Sequence, residues 1–204
     1  MMFDFQVISD FLFSLDAFAT SIALTATVLL AKNDRRGWPI CILAILVDTV
    51  FNYQRELGGQ FLLAGMYLVT TCYGWWQWDK QDTLAMASGT SIRSLTPRLT
   101  LFYALASIGF FFLFLQIIRA LPFSSLPLWD ALATTLSFIA QWLLTRRYLQ
   151  SWLLWFVADL VTAGLYYYKS AYWHASLYMI YLVIATIAYY KWKALSAQNT
   201  NQRS

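Results

Sequence analysis

Seven apolar runs, each close to the roughly 20 residues that carry a helix across a bilayer, limit what this chain can become. They lie near 11–31, 37–53, 59–78, 98–120, 127–145, 151–168 and 173–192. Only short charged or turn-rich pieces separate them. Inside a bilayer each backbone amide needs a partner within its own segment, so runs of this length form helices. Composition points the same way. With 60% hydrophobic, 19% aromatic and 12% charged residues, the 204-residue chain has too little polar surface for a soluble domain. The second run is the weakest, since it holds Pro39, Asp48 and Asn52. The polar stretch from Asp79 to Pro97 reads as a linker, and LPFSSLP at 121–127 as a second break. The expected fold is an all-α integral membrane protein with seven transmembrane helices.

Basic residues orient such a bundle. With the N-terminus outside, the pieces holding Lys32, Arg35, Arg36, Lys80, Arg93, Arg98, Arg146, Arg147, Lys191, Lys193 and Arg203 are cytoplasmic. Only Arg55, Arg119 and Lys169 remain outside. The positive-inside rule therefore predicts N-out, C-in in the cell membrane, which requires an odd number of spans. No Lys or Arg precedes Lys32, so the start lacks the basic region of a cleaved signal peptide.

The chain also repeats itself. Shifted by 114 residues, LDAFATSIALTATVLL (15–30) lies on WDALATTLSFIAQWLL (129–144). The register continues without a gap, placing Trp38 on Trp152, Tyr67 on Tyr181 and Trp78 on Trp192. Seventeen of 64 positions in 15–78 are identical to those in 129–192. Spans 1–3 and 5–7 thus read as two copies of one three-helix unit. A three-span unit joined directly to its copy would invert it, so span 4 keeps the two parallel, a 3+1+3 plan. The expected parts are a first repeat (11–78), a linker with its helix (79–120), a second repeat (127–192) and a polar cytoplasmic tail (193–204). Parallel repeats are a transporter device, with the substrate site at their interface near mid-membrane.

Within span 6, SWLLWFVADLV puts an aspartate deep in an apolar run. At about 100° per residue, Trp152, Trp155 and Asp159 fall near 0°, 300° and 340°, and Tyr166 joins them. A mid-membrane carboxylate costs several kcal/mol unless it faces a polar interior. Indole faces beside a carboxylate make a cage for a flat organic cation. The bland alternatives are a belt role for the tryptophans and a structural hydrogen bond for Asp159.

The pattern WLLWFVAD, the GWWQW end of span 3, the block from Trp129 to Trp152 and the 3+1+3 plan together resemble the Pnu-type bacterial vitamin transporter family. The resemblance covers nearly the whole chain. It implies facilitated diffusion of an unphosphorylated vitamin precursor, trapped afterwards by a cytoplasmic kinase, and a homo-oligomer, a trimer by that resemblance. The family motif falls on Trp152, Trp155 and Asp159. Nicotinamide riboside is the first substrate implied, and thiamin, carried by a sister branch, the alternative; both bear a permanent ring cation. Riboside carriers of the family have a glutamine where Ala64 stands and an apolar residue at Asp48. A membrane-embedded binding or sensor subunit is the competing class.

Other polar positions complete the expectation. Asp48 is expected to face the pathway, or else to partner Asn52. Gln141, with Thr134, Thr135 and Ser137, gives span 5 a polar side. Asp16 and Asp130 read as caps at helix starts, His174 as solvated and inert, and the GWWQW and AYYKW ends as interfacial belts. Cys41 and Cys72 read as buried free thiols. No hydrolase, zinc or phosphate-loop motif occurs, and no dense basic run, so no catalytic residue, metal, cofactor or nucleic-acid partner is expected. The partners expected are a small vitamin and membrane lipid.

Overall fold

The structure, a computed structural model, describes residues 18–54, 58–88, 92–120, 126–170 and 172–201. Among these residues the chain is all helical. The helices are α1 (Phe18–Ala31), α2 (Gly37–Gln54), α3 (Gly58–Ser88), α4 (Pro97–Ala120), α5 (Pro127–Thr145), α6 (Ser151–Tyr168) and α7 (Tyr172–Asn201). Their limits follow the apolar runs closely. Pro97 and Pro127 each open a helix, where the missing N–H costs nothing. Asp16, Arg55 and Arg203 lie outside the described residues.

Two helices outrun their expected ends. α3 continues through Ser88, ten residues into the stretch read as linker, and α7 continues to Asn201. The extra turns of α3 are anchored. Gln81 is buried, the Thr83 hydroxyl donates to the Asp79 carbonyl at 2.9 Å, and Asp82 pairs with Arg147 at 2.6 Å. Side-chain anchoring thus extends a helix through residues whose polarity suggests a loop.

The outward surface is apolar. Leu101, Phe102, Leu105 and Ile108 on α4, Leu153, Val157 and Leu160 on α6, and Val183 and Ile187 on α7 are exposed. α4 (Pro97–Ala120) and the Tyr172–Ala197 part of α7 are long and apolar enough to cross a membrane by length and composition. α5 is the hub: it packs on α3, α4 and α6, while α6 packs on α7 and α2 on α3. Its join to α4 is aromatic, with Phe138 against Phe110 (5.1 Å between ring centroids) and Phe114 (5.8 Å).

The turns α1–α2 and α5–α6 share one hydrogen-bond pattern. Asn33 N–H donates to Leu30 and Asp34 N–H to Leu29; Arg147 N–H donates to Leu144 and Tyr148 N–H to Leu143. Each turn is a Schellman cap with a left-handed residue, Asn33 (φ 59°) or Arg147 (φ 56°). Between α3 and α4, residues 92–95 lie along the second turn. Arg93 N–H donates to the Arg147 carbonyl and Leu149 N–H to the Arg93 carbonyl, both at 2.9 Å. Leu95 N–H donates to Gln150 Oε1 at 3.0 Å.

At the same end of the bundle four indoles pack in series. Trp38 meets Trp78 edge-on at 5.4 Å, Trp78 meets Trp192 at 5.9 Å, and Trp192 meets Trp152 edge-on at 5.6 Å. All four are buried. Trp78 Nε1–H donates to the Leu144 carbonyl at 3.0 Å, and Trp192 Nε1–H to the Ala31 carbonyl at 3.1 Å. This corrects the belt reading for Trp78 and Trp192, whose indoles cap helix ends inside the protein. Trp75 and Trp76 do face outward.

Candidate functional site

The helical face expected on α6 forms. Trp152, Ala158, Asp159, Ala163 and Leu165 are buried, while Phe156, Val157, Leu160 and Tyr167 face outward. Asp159 is only 6% exposed. Among the described residues, no hydrogen bond or ion pair engages its carboxylate. A buried, unpaired carboxylate in an apolar bundle is costly unless it is neutralised or meets a cationic or donating partner.

Three tyrosine hydroxyl groups lie within electrostatic reach of that carboxylate: Tyr67 on α3, and Tyr178 and Tyr181 on α7. The Tyr67 hydroxyl interacts with Ser137 of α5, and the Tyr181 hydroxyl with Thr27 of α1. Tyr166 stacks on Tyr178 at 5.5 Å and on His174 at 5.0 Å. Asp159 of α6 thus has tyrosine hydroxyl groups of two other helices, α3 and α7, within electrostatic reach. Tyr67, Tyr178 and Tyr181 were missed from sequence, although the 114-residue register aligns Tyr67 with Tyr181. That alignment was the available signal. His174 is stacked and half-buried, not solvated.

The other expected residues divide. Trp155, half-buried, sits one turn before Asp159 and packs against the indole series. Trp152 is a member of that series, 2% exposed, with its ring engaged by Trp192. Gln141 is buried and donates from Nε2 to the Thr71 hydroxyl at 3.1 Å, tying α5 to α3. The Thr135 hydroxyl donates to its own helix at Ala131, 2.7 Å away. Asp48 lies on α2, but its side chain, like that of Asn52, is outside the described residues. Asp130 lies in the first turn of α5 and also pairs with Lys169 at 3.7 Å. Ala64 is buried, and both cysteines are free thiols, with Cys72 on an outward face instead of buried.

The family model described as nicotinamide mononucleotide transporter matches residues 14–194. The chain belongs to this transporter family. Among curated relatives of the family, the nicotinamide riboside transporter PnuC of Neisseria mucosa is 24% identical over 206 residues, covering 94% of this chain and 78% of that protein. PnuC of Escherichia coli K12 is 26% identical over 157 residues, covering 65% of each chain. A crystal structure of the vitamin B3 transporter PnuC superposes with a TM-score of 0.71 at 22% identity, over 94% of this chain and 87% of that one. At that identity the superposition shows a shared fold. The relatives are transporters, and the all-helical bundle of this chain has their architecture.

Proposed function

We propose that this chain is a facilitator for a small cationic vitamin precursor, nicotinamide riboside first, which it binds at Asp159. The observation that carries the reading is the buried Asp159 carboxylate, unpaired among the described residues, one turn from Trp155 and within electrostatic reach of the Tyr67, Tyr178 and Tyr181 hydroxyl groups. A pyridinium ring supplies the missing positive charge and stacks on the aromatic faces. The ribose hydroxyls donate to carboxylate and phenol oxygens. Trp152 backs Trp155 from below, Tyr166 lies toward the other mouth, and Gln141 and Asp48 complete the route on α5 and α2.

The same electrostatics favour the riboside over the mononucleotide for which the family is described. A phosphate brought near Asp159 meets a like charge in a weakly screened interior. Relatives named for the riboside agree with that choice. Thiamin shares the permanent ring cation, and Ala64, where riboside carriers of the family have a glutamine, keeps it as the second substrate.

The finer architecture belongs to this reading. Spans 1–3 and 5–7 are two parallel copies joined by α4, and the site alternates its access as one copy rocks against the other. The shared turn pattern, 114 residues apart, supports the repeat. The N-terminus faces outward and the basic end inward, in the cytoplasmic membrane. The chain works as a homo-oligomer, and a cytoplasmic kinase traps the product.

The test is exchange in vesicles holding only this chain, with the membrane potential clamped. Labelled nicotinamide riboside should exchange without ATP or an ion gradient and stop at equal concentrations. Unlabelled riboside should compete, thiamin less so, and the mononucleotide hardly at all. Equal competition by the mononucleotide would remove the role given to Asp159. Accumulation driven by a proton gradient would replace facilitation with coupling. A reporter placed after Ser204 should be cytoplasmic, and one in 121–127 external.

A further inference from the structure

The basic end of the bundle holds a buried charge. Arg147 is 1% exposed although it carries a full charge at a helix terminus. Its Nη1 pairs with Asp82 at 2.6 Å, and its guanidinium lies 4.2 Å from the Trp78 ring centroid. Its backbone holds the left-handed torsion at φ 56°, unfavourable for a side chain other than glycine or asparagine. Arg147 carbonyl is also the acceptor for Arg93 of the α3–α4 connection. The four indoles lie beside it, and Trp155 packs on them from the Asp159 side. They close one end of the bundle below the site. At the opposite end Lys169 and Asp130 pair at 3.7 Å, both partly exposed.

We propose that Arg147 and Asp82 are the latch of a gate at the basic end, whose plug is the Trp38–Trp78–Trp192–Trp152 series. This rests on the transport reading above. Opening toward the basic end separates the α5–α6 turn from the extended part of α3. It breaks the Arg147–Asp82 pair, lifts the guanidinium from Trp78 and frees the Leu144 carbonyl from Trp78 Nε1–H. The pair is a charge-assisted contact with one partner fully buried, so it holds the closed state more firmly than an exposed pair does. Asp82 sits on the part of α3 beyond the apolar run, where a polar residue can be exchanged without disturbing the core.

The experiment reads access, not transport. In a Cys41→Ala, Cys72→Ser background, Ser151→Cys places a thiol at a fully buried position beside the plug. Detergent-purified protein is reacted with a bulky charged maleimide. The parent should label slowly. Adding Asp82→Asn should speed labelling by about tenfold or more, the scale of one lost charge-assisted bond. Asp82→Glu, which keeps the charge, should stay near the parent, and a monodisperse gel-filtration peak at the parent's position checks folding in each. Equal labelling of the Asn and Glu variants, slow or fast, overturns the latch. If labelling responds as expected but vesicles exchange neither riboside nor thiamin, the latch stands and the substrate reading falls. If exchange proceeds and labelling does not respond, the latch alone falls.

Discussion

Asn33 and Arg147 end α1 and α5 with the same left-handed torsion, φ 59° and 56°, although 114 residues separate them. Asn33 tolerates that torsion, and its Oδ1 is buried without a hydrogen-bond partner among the described residues. Asn33→Gly should therefore keep or slightly raise the melting temperature, while Asn33→Ala should lower it by the equivalent of about 1 kcal/mol. Arg147→Gly gains the same torsional relief but loses the Asp82 pair and the Trp78 contact, so its melting temperature should fall. Thermal unfolding in detergent, followed by tryptophan fluorescence, compares the three. A stabilised Arg147→Gly would mean that the ion pair contributes nothing to the fold.

Gly74 is where Trp38 crosses α3. A Cβ there would lie 2.5 Å from Cη2 of the indole, and 2.6 and 2.8 Å from Cζ3 and Cζ2. The ring is held by Trp78 at its other edge and cannot swing clear. Gly74→Ala should cost about 1–3 kcal/mol of stability through overpacking. Gly109, which has open space around it, should accept alanine without loss. The same melting assay tests both.

Removing a single tyrosine hydroxyl near Asp159 should weaken binding, while the lost bond to Ser137 or Thr27 costs the fold only about 1 kcal/mol. Tyr67→Phe and Tyr181→Phe should each reduce affinity for nicotinamide riboside by roughly 2–10-fold, the range of one neutral hydrogen bond. Tyr168→Phe, on an exposed face, should change nothing. Calorimetry on purified protein gives the comparison. Unaltered affinity in both variants near Asp159 would put the substrate elsewhere.

At the α1–α2 turn, Arg36 donates to Asp34 through Nε and Nη2 and through its backbone N–H. The Arg36 side-chain hydrogen bond, more than the charges of Arg36 and Arg35, holds the Asp34 carboxyl below its usual range. A depressed carboxyl pKa stabilises the fold above the unfolded value, near 4, and the contribution fades as pH falls through the lower folded value. Wild type minus Asp34→Asn should show a small melting-temperature gap at pH 7 that closes as the pH drops below about 4. The pair is largely exposed, so salt should shrink the gap.

How much of this was legible in the sequence depends on which force set each feature. Helix positions were legible, because bilayer thickness and backbone bonding dictate run length directly. So was the buried face of α6, since the spacing of Trp152, Trp155 and Asp159 fixes their direction whatever packs against them. The ends of α3 and α7 were not. The extra turns of α3 are held through Asp82 and Arg147, a contact between residues distant in sequence that leaves no periodic mark. Trp78 looked like its neighbours Trp75 and Trp76, and only the nearby Leu144 carbonyl distinguishes it. Tyr178 and Tyr181 looked like any tyrosines in a span until α6 set a carboxylate before them.

The crossed indole bonds bear on how the chain is made. Trp78 reaches the end of α5, and Trp192 reaches back to the end of α1, across 161 residues. Each bond ties an early-synthesised helix to a later one, so neither can form while its partner is still in the ribosome. The first three helices must wait in the bilayer with the Trp78 indole N–H and the Ala31 carbonyl unmatched. The second of these is answered only when α7 arrives. The last helix is thus the keystone of the basic end, and a chain cut short before Trp192 should insert yet remain open there, a ready substrate for membrane proteases.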